Sequence, residues 1–563
     1  SFNTALGKDA LALNSTASNN TAVGYQAGYA NTTGFENTAV GHTALVSNTT
    51  ARSNTAVGFE AGRNNTTGQF GTFVGRQAGY NNSTASNNVA FGESAFYTNT
   101  TGAENVAIGT TALYTNTIGS YNTAIGRSAL QLNTTASNNT AVGFQALYSG
   151  TNTGTATAVG FQAGYSNNSL YFTALGFQAG YSNTTGATTV AVGYQALYSN
   201  TTGADNLAIG GYQTLYNNTT GGYNVAVGRQ ALQANTTASN NTAVGYQAGY
   251  NNTTGQFNVL LGYRAGYRSA GVGSLGDASV FIGYTAGYSN QGNNNIGIGN
   301  GAMYGNTTGT FNTAVGQSAL SGTTSGAYNV AHGAGALAAN TTASYSLALG
   351  YQAGYNNTTG SYNTFIGAQA GYSSTTGTNN TYVGSQSPGG TAAAGSSMTT
   401  GSKNSIFGNY NGNAGGLDIR TASNYIVLSD GDGNPRMYFN GTGQPFYNNM
   451  RADPGSYTIR FLGSGEMVFD TSSARYKDNI RDNDYGLNAV MALQSRTFEY
   501  KNNPERTDIG LIAEEVFEVI PELVTLNKEN QPDAVNYDRF ISVCIKAIQE
   551  LKAEFDAYKA THP

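Results

Sequence analysis

Few side chains in this 563-residue chain are equipped for chemistry, and they are unevenly placed. Cys544 is the single cysteine, so no intrachain disulfide can form. His42, His332 and His562 are the only histidines, and nothing has the Cys/His spacing of a metal ligand set. Asp430, Asp432 and Asn434 share the opening spacing of a calcium loop but lack its twelfth-position glutamate, so a tight hairpin turn is expected. Paired carboxylates, which glycan hydrolysis requires, are sparse along the first two thirds. Phosphate-loop, dinucleotide-binding, zinc-hydrolase and nucleophile-elbow motifs in their proper context are absent. No turnover enzyme, cofactor or metal is expected. Lysine is the informative residue: Lys8 is the only one before Lys403, whereas lysine, aspartate and glutamate become frequent from about Thr471.

The elements that would carry such residues follow from composition. Charged residues make up 9% of the chain, far below the usual quarter, and Gly numbers 76 and Tyr 39. Disorder goes with few aromatics and high net charge, whereas here aromatics are 11% and the net charge is −5. A basic stripe for nucleic acid is missing, and so is an apolar run of the ~20 residues a membrane helix needs. The chain opens at Ser1 inside a repeat, Asn3-Thr4-Ala5-Leu6-Gly7, so an anchoring part is expected to precede it.

Asn-Thr-Ala-Val-Gly and its variants recur, closing at Gly7, Gly24, Gly41 and Gly58 and continuing to Gly350, Gly367 and Gly384. The step is about 17 residues, with a slip at Gly211 and an excursion around Ser269–Ser279. A short period held this long predicts a solenoid. In Asn105-Val106-Ala107-Ile108-Gly109 the alternation is that of a strand, with Val106 and Ile108 on one face and Ala107 on the other. Asn-Thr-Thr-Gly reads as a turn, because Asn tolerates left-handed backbone and Gly adopts it without strain. No proline occurs before Pro388, as stacked strands require. One unit buries too little apolar surface to offset its ordering entropy, so coils must stack, and lateral association would cover the alanine face. At ~4.8 Å per strand the coils make a rod on the order of 110 Å long. His332 replaces the usual Val or Ile; a hydrogen-bonded interior histidine is expected, or an ion site where three copies meet. Tyr25 to Tyr29 and Tyr351 to Tyr355 belong to stretches expected to pack from coil to coil, the alternative being an aromatic stripe for sugars.

These repeats, over roughly residues 1–384, resemble the left-handed β-roll heads of trimeric autotransporter adhesins and related phage fibre shafts. The resemblance implies a trimeric stalk. It specifies no ligand, and the membrane barrel of the autotransporters is absent.

After Gly384 the pattern breaks. Ser385–Ser402 reads as a linker or loosened coil. Tyr425-Ile426-Val427-Leu428 and Arg436-Met437-Tyr438-Phe439 flank Ser429–Pro435 as a β-hairpin. The last segment is a helix with apolar residues at Ile541, Cys544, Ile548, Leu551, Phe555 and Tyr558. That spacing is the seam of a short coiled coil, or equally of one amphipathic helix packed on its own domain. Before it come Thr471-Ser472-Ser473-Ala474-Arg475-Tyr476-Lys477-Asp478-Asn479-Ile480, then Gly510–Val516, Pro521–Val524 and Val535–Arg539.

This succession resembles the C-terminal intramolecular chaperone of endosialidase-type tail spikes, over about residues 471–563. That family trimerises, helps the stalk fold and cuts itself away with a serine–lysine pair. The resemblance implies Ser472 as nucleophile, Lys477 as general base and Thr471–Ser472 as the scissile bond. A serine hydroxyl attacks once a base takes its proton, and a desolvated lysine can do so. Ser473 stands where the family usually has Asp, which leaves the alignment open between Ser472 and Ser473.

The expected architecture is mainly β: a left-handed β-roll or β-solenoid of about 17-residue coils at 1–384, trimeric, a linker and irregular β tip at 385–471, and a small α+β chaperone domain with a C-terminal coiled-coil helix at 472–563. The expected function is a structural and host-attachment component of a phage tail fibre or spike, located in the virion. Its partners would be two further copies, other virion tail proteins and a host surface receptor or glycan, with no nucleic acid and no membrane insertion. The alternative is a trimeric cell-surface adhesin or extracellular filament subunit. A third reading is ice binding through threonines of stacked turns.

Overall fold

The computed structural model describes all residues except 1, 152–153, 269–272, 387–391, 448–458, 462–466, 470–477, 502, 528 and 563; for 459–461, 467–469, 500 and 503–506 it describes the backbone alone. They form two compact units, Ser1–Asn449 and Met450–Pro563.

The first unit is a β-solenoid. Twenty-four short strands, from Thr4–Leu6 to Ser405–Phe407, stack parallel and in register, so that Thr38, Ala39 and Val40 pair with Thr55, Ala56 and Val57 one coil on. Strand Ile426–Ser429 continues the stack. Three residues of strand per coil suffice because the rest of each coil also bonds to its neighbour: Leu113 N–H to Ala129 O at 3.0 Å, and Thr117 N–H to Thr134 O at 2.8 Å. The slip at Gly211 is a bulge, with the register shifting after Val192 so that Tyr194 meets Tyr212.

The interior is one side chain thick, and this inverts the expected facing of the strands. The alanines point in: Ala107 and Ala124 at the strand centres, and Ala112 and Ala129 five residues on, have no exposed surface. Val106 and Ile108 stand on the outside. The alanine face therefore needs no neighbouring chain, because the coil closes over it. The interior His332 is corrected in the same way, since it lies on the exposed side of Val330–His332.

Volume is balanced between coils. Leucines such as Leu45 fill the space beside a glycine of the next coil, and a larger strand centre is matched by glycines around it. A Cβ on Gly79 would lie 2.2 Å from the Phe73 ring, and one on Gly371 2.4 Å from Phe365. The closing glycines have a different cause. Gly143 has φ +135°, and a Cβ there would come within 2.3 Å of the Gly160 carbonyl oxygen.

Two asparagine ladders hold the coils in register. Asn105 Oδ1 accepts the Asn122 backbone N–H at 2.9 Å, while Asn122 Nδ2 donates to the Ala136 carbonyl at 2.9 Å. In the turns, Asn116 Nδ2 donates to Asn99 Oδ1 and to Gly119 O, both at 2.9 Å. The turn asparagines are buried and do not take left-handed backbone, contrary to the reason expected for them; residues such as Gln26, Glu36 and Leu45 do.

The ladder carries on past Gly384, where the glycine pattern stops. Tyr382 pairs with Ile406 and Ile406 with Val427, and the Asn380-to-Asn404 coil simply takes 24 residues. The hairpin expected after it is present: Ile426–Ser429 pairs antiparallel with Pro435–Phe439, which pairs with Pro445–Tyr447. This antiparallel turn-back ends the parallel stack.

The second unit has α1 (Leu487–Ala492), an antiparallel hairpin of Arg496–Tyr500 with Asn503–Gly510, α2 (Ala513–Val519), a second hairpin of Val524–Leu526 with Pro532–Val535, and α3 (Tyr537–Thr561). Its core is small: Val516, Ile520, Leu523 and Val543, flanked by Tyr485, Val490, Leu493 and Phe540.

Candidate functional site

In the second unit, backbone and side-chain bonds fix the start of α3. The Asn536 N–H donates to the Leu523 carbonyl at 2.7 Å, and the Tyr537 hydroxyl accepts the Leu511 N–H at 2.7 Å. Further along, Glu550 Oε2 accepts the N–H of Leu487 at the first turn of α1, at 2.6 Å, where a carboxylate meets the positive end of a helix. Val543 and Ala547 face the core. Between the start of α3 and the chain after Asn479 lies an open cleft of about 560 Å³, lined by Arg481, Asp482, Tyr485, Glu522 and Asp538 among others. The Tyr485 phenol is held above its ordinary pKa first by its hydrogen bond to the Glu522 carboxylate.

The opposite face of α3 is exposed, with no partner among the described residues of its own unit. Ile541, Ile548, Leu551, Phe555 and Tyr558 are all exposed, Ile541 by 62% and Ile548 by 65%, and Cys544 is half-buried between the two faces. From Leu551 onward every described residue of the helix is exposed. One apolar helix stripe packs inward and a second, at coiled-coil spacing, does not. Ile545, 52% exposed, joins this second stripe; a strict three-four count from Ile541 passes over it. The cleavage residues Thr471, Ser472 and Lys477 lie outside the described residues.

Residues 472–525 match the family model described as chaperone of endosialidase. The matched segment runs through α1, the first hairpin and α2 to the start of the second hairpin, and α3 follows it. No curated protein and no solved structure matches the chain.

The solenoid's other candidates resolve into structure. Asp430 accepts the Asn434 N–H at 2.8 Å and pairs with the Arg436 guanidinium; the Asn434 bond first, then the arginine, hold its carboxyl below the usual range. It is a hairpin-turn acceptor. Among the described residues no group of His, Cys, Asp and Glu is placed to hold a metal ion, and no helix is long and apolar enough to cross a membrane. Aromatic rings stack from coil to coil, as in Tyr148, Tyr165, Tyr181, Tyr198 and Tyr216 at 5.0–5.1 Å between centroids. Stacking occupies the ring faces on which a sugar would lie and leaves edges outward. Turn threonines are engaged likewise: Thr49 Oγ1 donates to the Thr66 carbonyl at 3.1 Å. Such hydroxyls serve the next coil rather than an ordered surface ladder.

Proposed function

We propose that the chain is the shaft of a trimeric phage tail fibre or spike, located in the virion, whose C-terminal domain assembles three copies and then releases itself. The carrying observation is the pairing of a long β-solenoid with a segment, beginning at Ser472, that matches the endosialidase chaperone. A solenoid coil is stable only when stacked, so a chain of such coils gains from a domain that brings copies together early. The exposed stripe on α3 is where three helices meet, burying Ile541, Cys544, Ile548, Leu551 and Phe555 around one axis.

Lys477 takes the proton of the Ser472 hydroxyl, whose oxygen attacks the Thr471 carbonyl carbon. The Thr471–Ser472 C–N bond breaks as the leaving amine takes that proton. Water then hydrolyses the ester, leaving a Thr471 carboxylate on the product that keeps the solenoid and a free amine on the released domain. A host receptor or surface glycan and other tail proteins are the shaft's partners. The test is intact mass of the expressed chain beside its Ser472→Ala and Ser473→Ala variants. Loss of residues 472–563 in the parent and in Ser473→Ala, but not in Ser472→Ala, is the expected result. A full-length parent that stays monomeric overturns the reading.

A further inference from the structure

The outward side of the solenoid strands carries two ladders that no other described element of the solenoid unit covers. The third strand position runs Leu6, Val23, Val40, Val57, Val74 and Phe91, and continues in the same kind to Phe407 and Leu428, with His332 as its one polar member. The first strand position is Thr, Val, Leu, Ile or Ser throughout. No lysine, arginine, aspartate or glutamate occurs at either position in any of these strands, from Thr4–Leu6 to Ile426–Ser429. The solenoid's charges sit elsewhere, as with Glu60, Arg63, Arg76 and Glu93. Ladder neighbours cover much of each outward residue, yet Val57, Ile108, Ile125, Val159, Val244 and Ile298 keep between 37% and 39% of their surface in water.

We infer that this strand face is the surface through which copies of the chain lie side by side. The inference rests on the trimeric-shaft reading and adds which face meets which. The ribbon is about 115 Å long at 4.8 Å per strand, and two outward side chains wide, which gives roughly 1,000 Å² per chain. That exceeds the ~300–600 Å² of the largest apolar patch on a typical monomer and reaches the ~800 Å² per partner of a standard stable interface. The occupant is another copy, because only a second rod has the same coil repeat, length and absence of charge and so fits every step. Ice is the competing occupant for a flat Thr/Val sheet face. The mixture of Val, Ile, Leu, Phe and His along one ladder breaks a lattice match, while side chains repack readily against side chains.

The test uses the full chain with Cys544→Ser and Ser472→Ala, into which one cysteine is introduced: Val244→Cys on the strand face, or Thr237→Cys in the preceding turn. A short bismaleimide is expected to link copies through position 244 at least tenfold faster than through 237. Light scattering reads the oligomeric mass separately. A trimer that links through 237 and not 244 overturns this face and leaves the shaft reading standing; a monomer overturns both. Val244→Asp gives the second readout. It is expected to lower the melting temperature of the assembled chain, and an unchanged melting temperature would place the residue in solvent and overturn the inference. Thermal hysteresis by the parent would assign the face to ice and overturn it as well.

Discussion

The solenoid and the C-terminal unit solve the problem of burial in opposite ways. The solenoid closes each coil over alanines from its own chain, so its interior is complete within one copy. Among its described residues the C-terminal unit has a small core built around Val516, Ile520, Leu523 and Val543, and it leaves an apolar stripe of α3 exposed. A periodic structure satisfies itself by repeating, since every coil finds its partner in the next. A small unit cannot, and the association of copies proposed for it would finish its core and make assembly a condition of its stability.

The contrast breaks first at the closing glycines. Gly143→Val places a side chain at φ +135° against the Gly160 carbonyl and is expected to cost about 4 kcal/mol or more, seen as local loss of hydrogen-exchange protection around the coil. Gly211→Ala, with nothing within 4 Å of the added carbon, is expected to stay within about 1 kcal/mol of the parent. Phe365→Ala comes next. It empties a site shaped by Gly354 and Gly371 and is expected to cost about 3–5 kcal/mol in denaturant unfolding. In the C-terminal unit, Val543→Ala should destabilise by about 1–3 kcal/mol, because the small core has few other contacts to lose.

A smaller effect sharpens the comparison from the solenoid side. Burial holds the Tyr382 and Tyr410 phenols above their ordinary pKa. Their folded-state pKa exceeds the unfolded value of about 10, so their contribution is fully present below that pH and is lost as pH rises through the folded-state value. Stability should therefore decline only above about pH 10, and tyrosinate absorbance from these residues should appear together with unfolding.

The sequence makes the coil period legible because a closing glycine is demanded in nearly every turn. It does not reveal which strand face is inside. Val106-Ala107-Ile108 alternates in the same way whether alanine lines a narrow coil or an interface, and only the coil's cross-section decides. The coils beyond Gly384 escape notice because Ser405-Ile406-Phe407 lacks the repeat's Thr-Ala-Val and its coil is longer, although Asn404 keeps the ladder bond to Asn380. On α3 the stripe from Ile541 to Tyr558 is readable as spacing. That Val543 and Ala547 form a separate inward stripe is not, since both stripes share one helical period. The pair Ser472 and Lys477 rests on the order of sequence blocks, which carries identity and no distance.

The most direct measurement is the mass in solution, by sedimentation equilibrium, of the uncut Ser472→Ala chain and of the same chain carrying Ile548→Asp and Leu551→Asp. The expected result is a trimer for the first, and for the second a failure to trimerise through the C-terminal unit, read as loss of protection in α3 while the coil amides of the solenoid stay protected. A monomeric Ser472→Ala chain, or an α3 equally protected in both, would contradict a C-terminal unit completed by its copies.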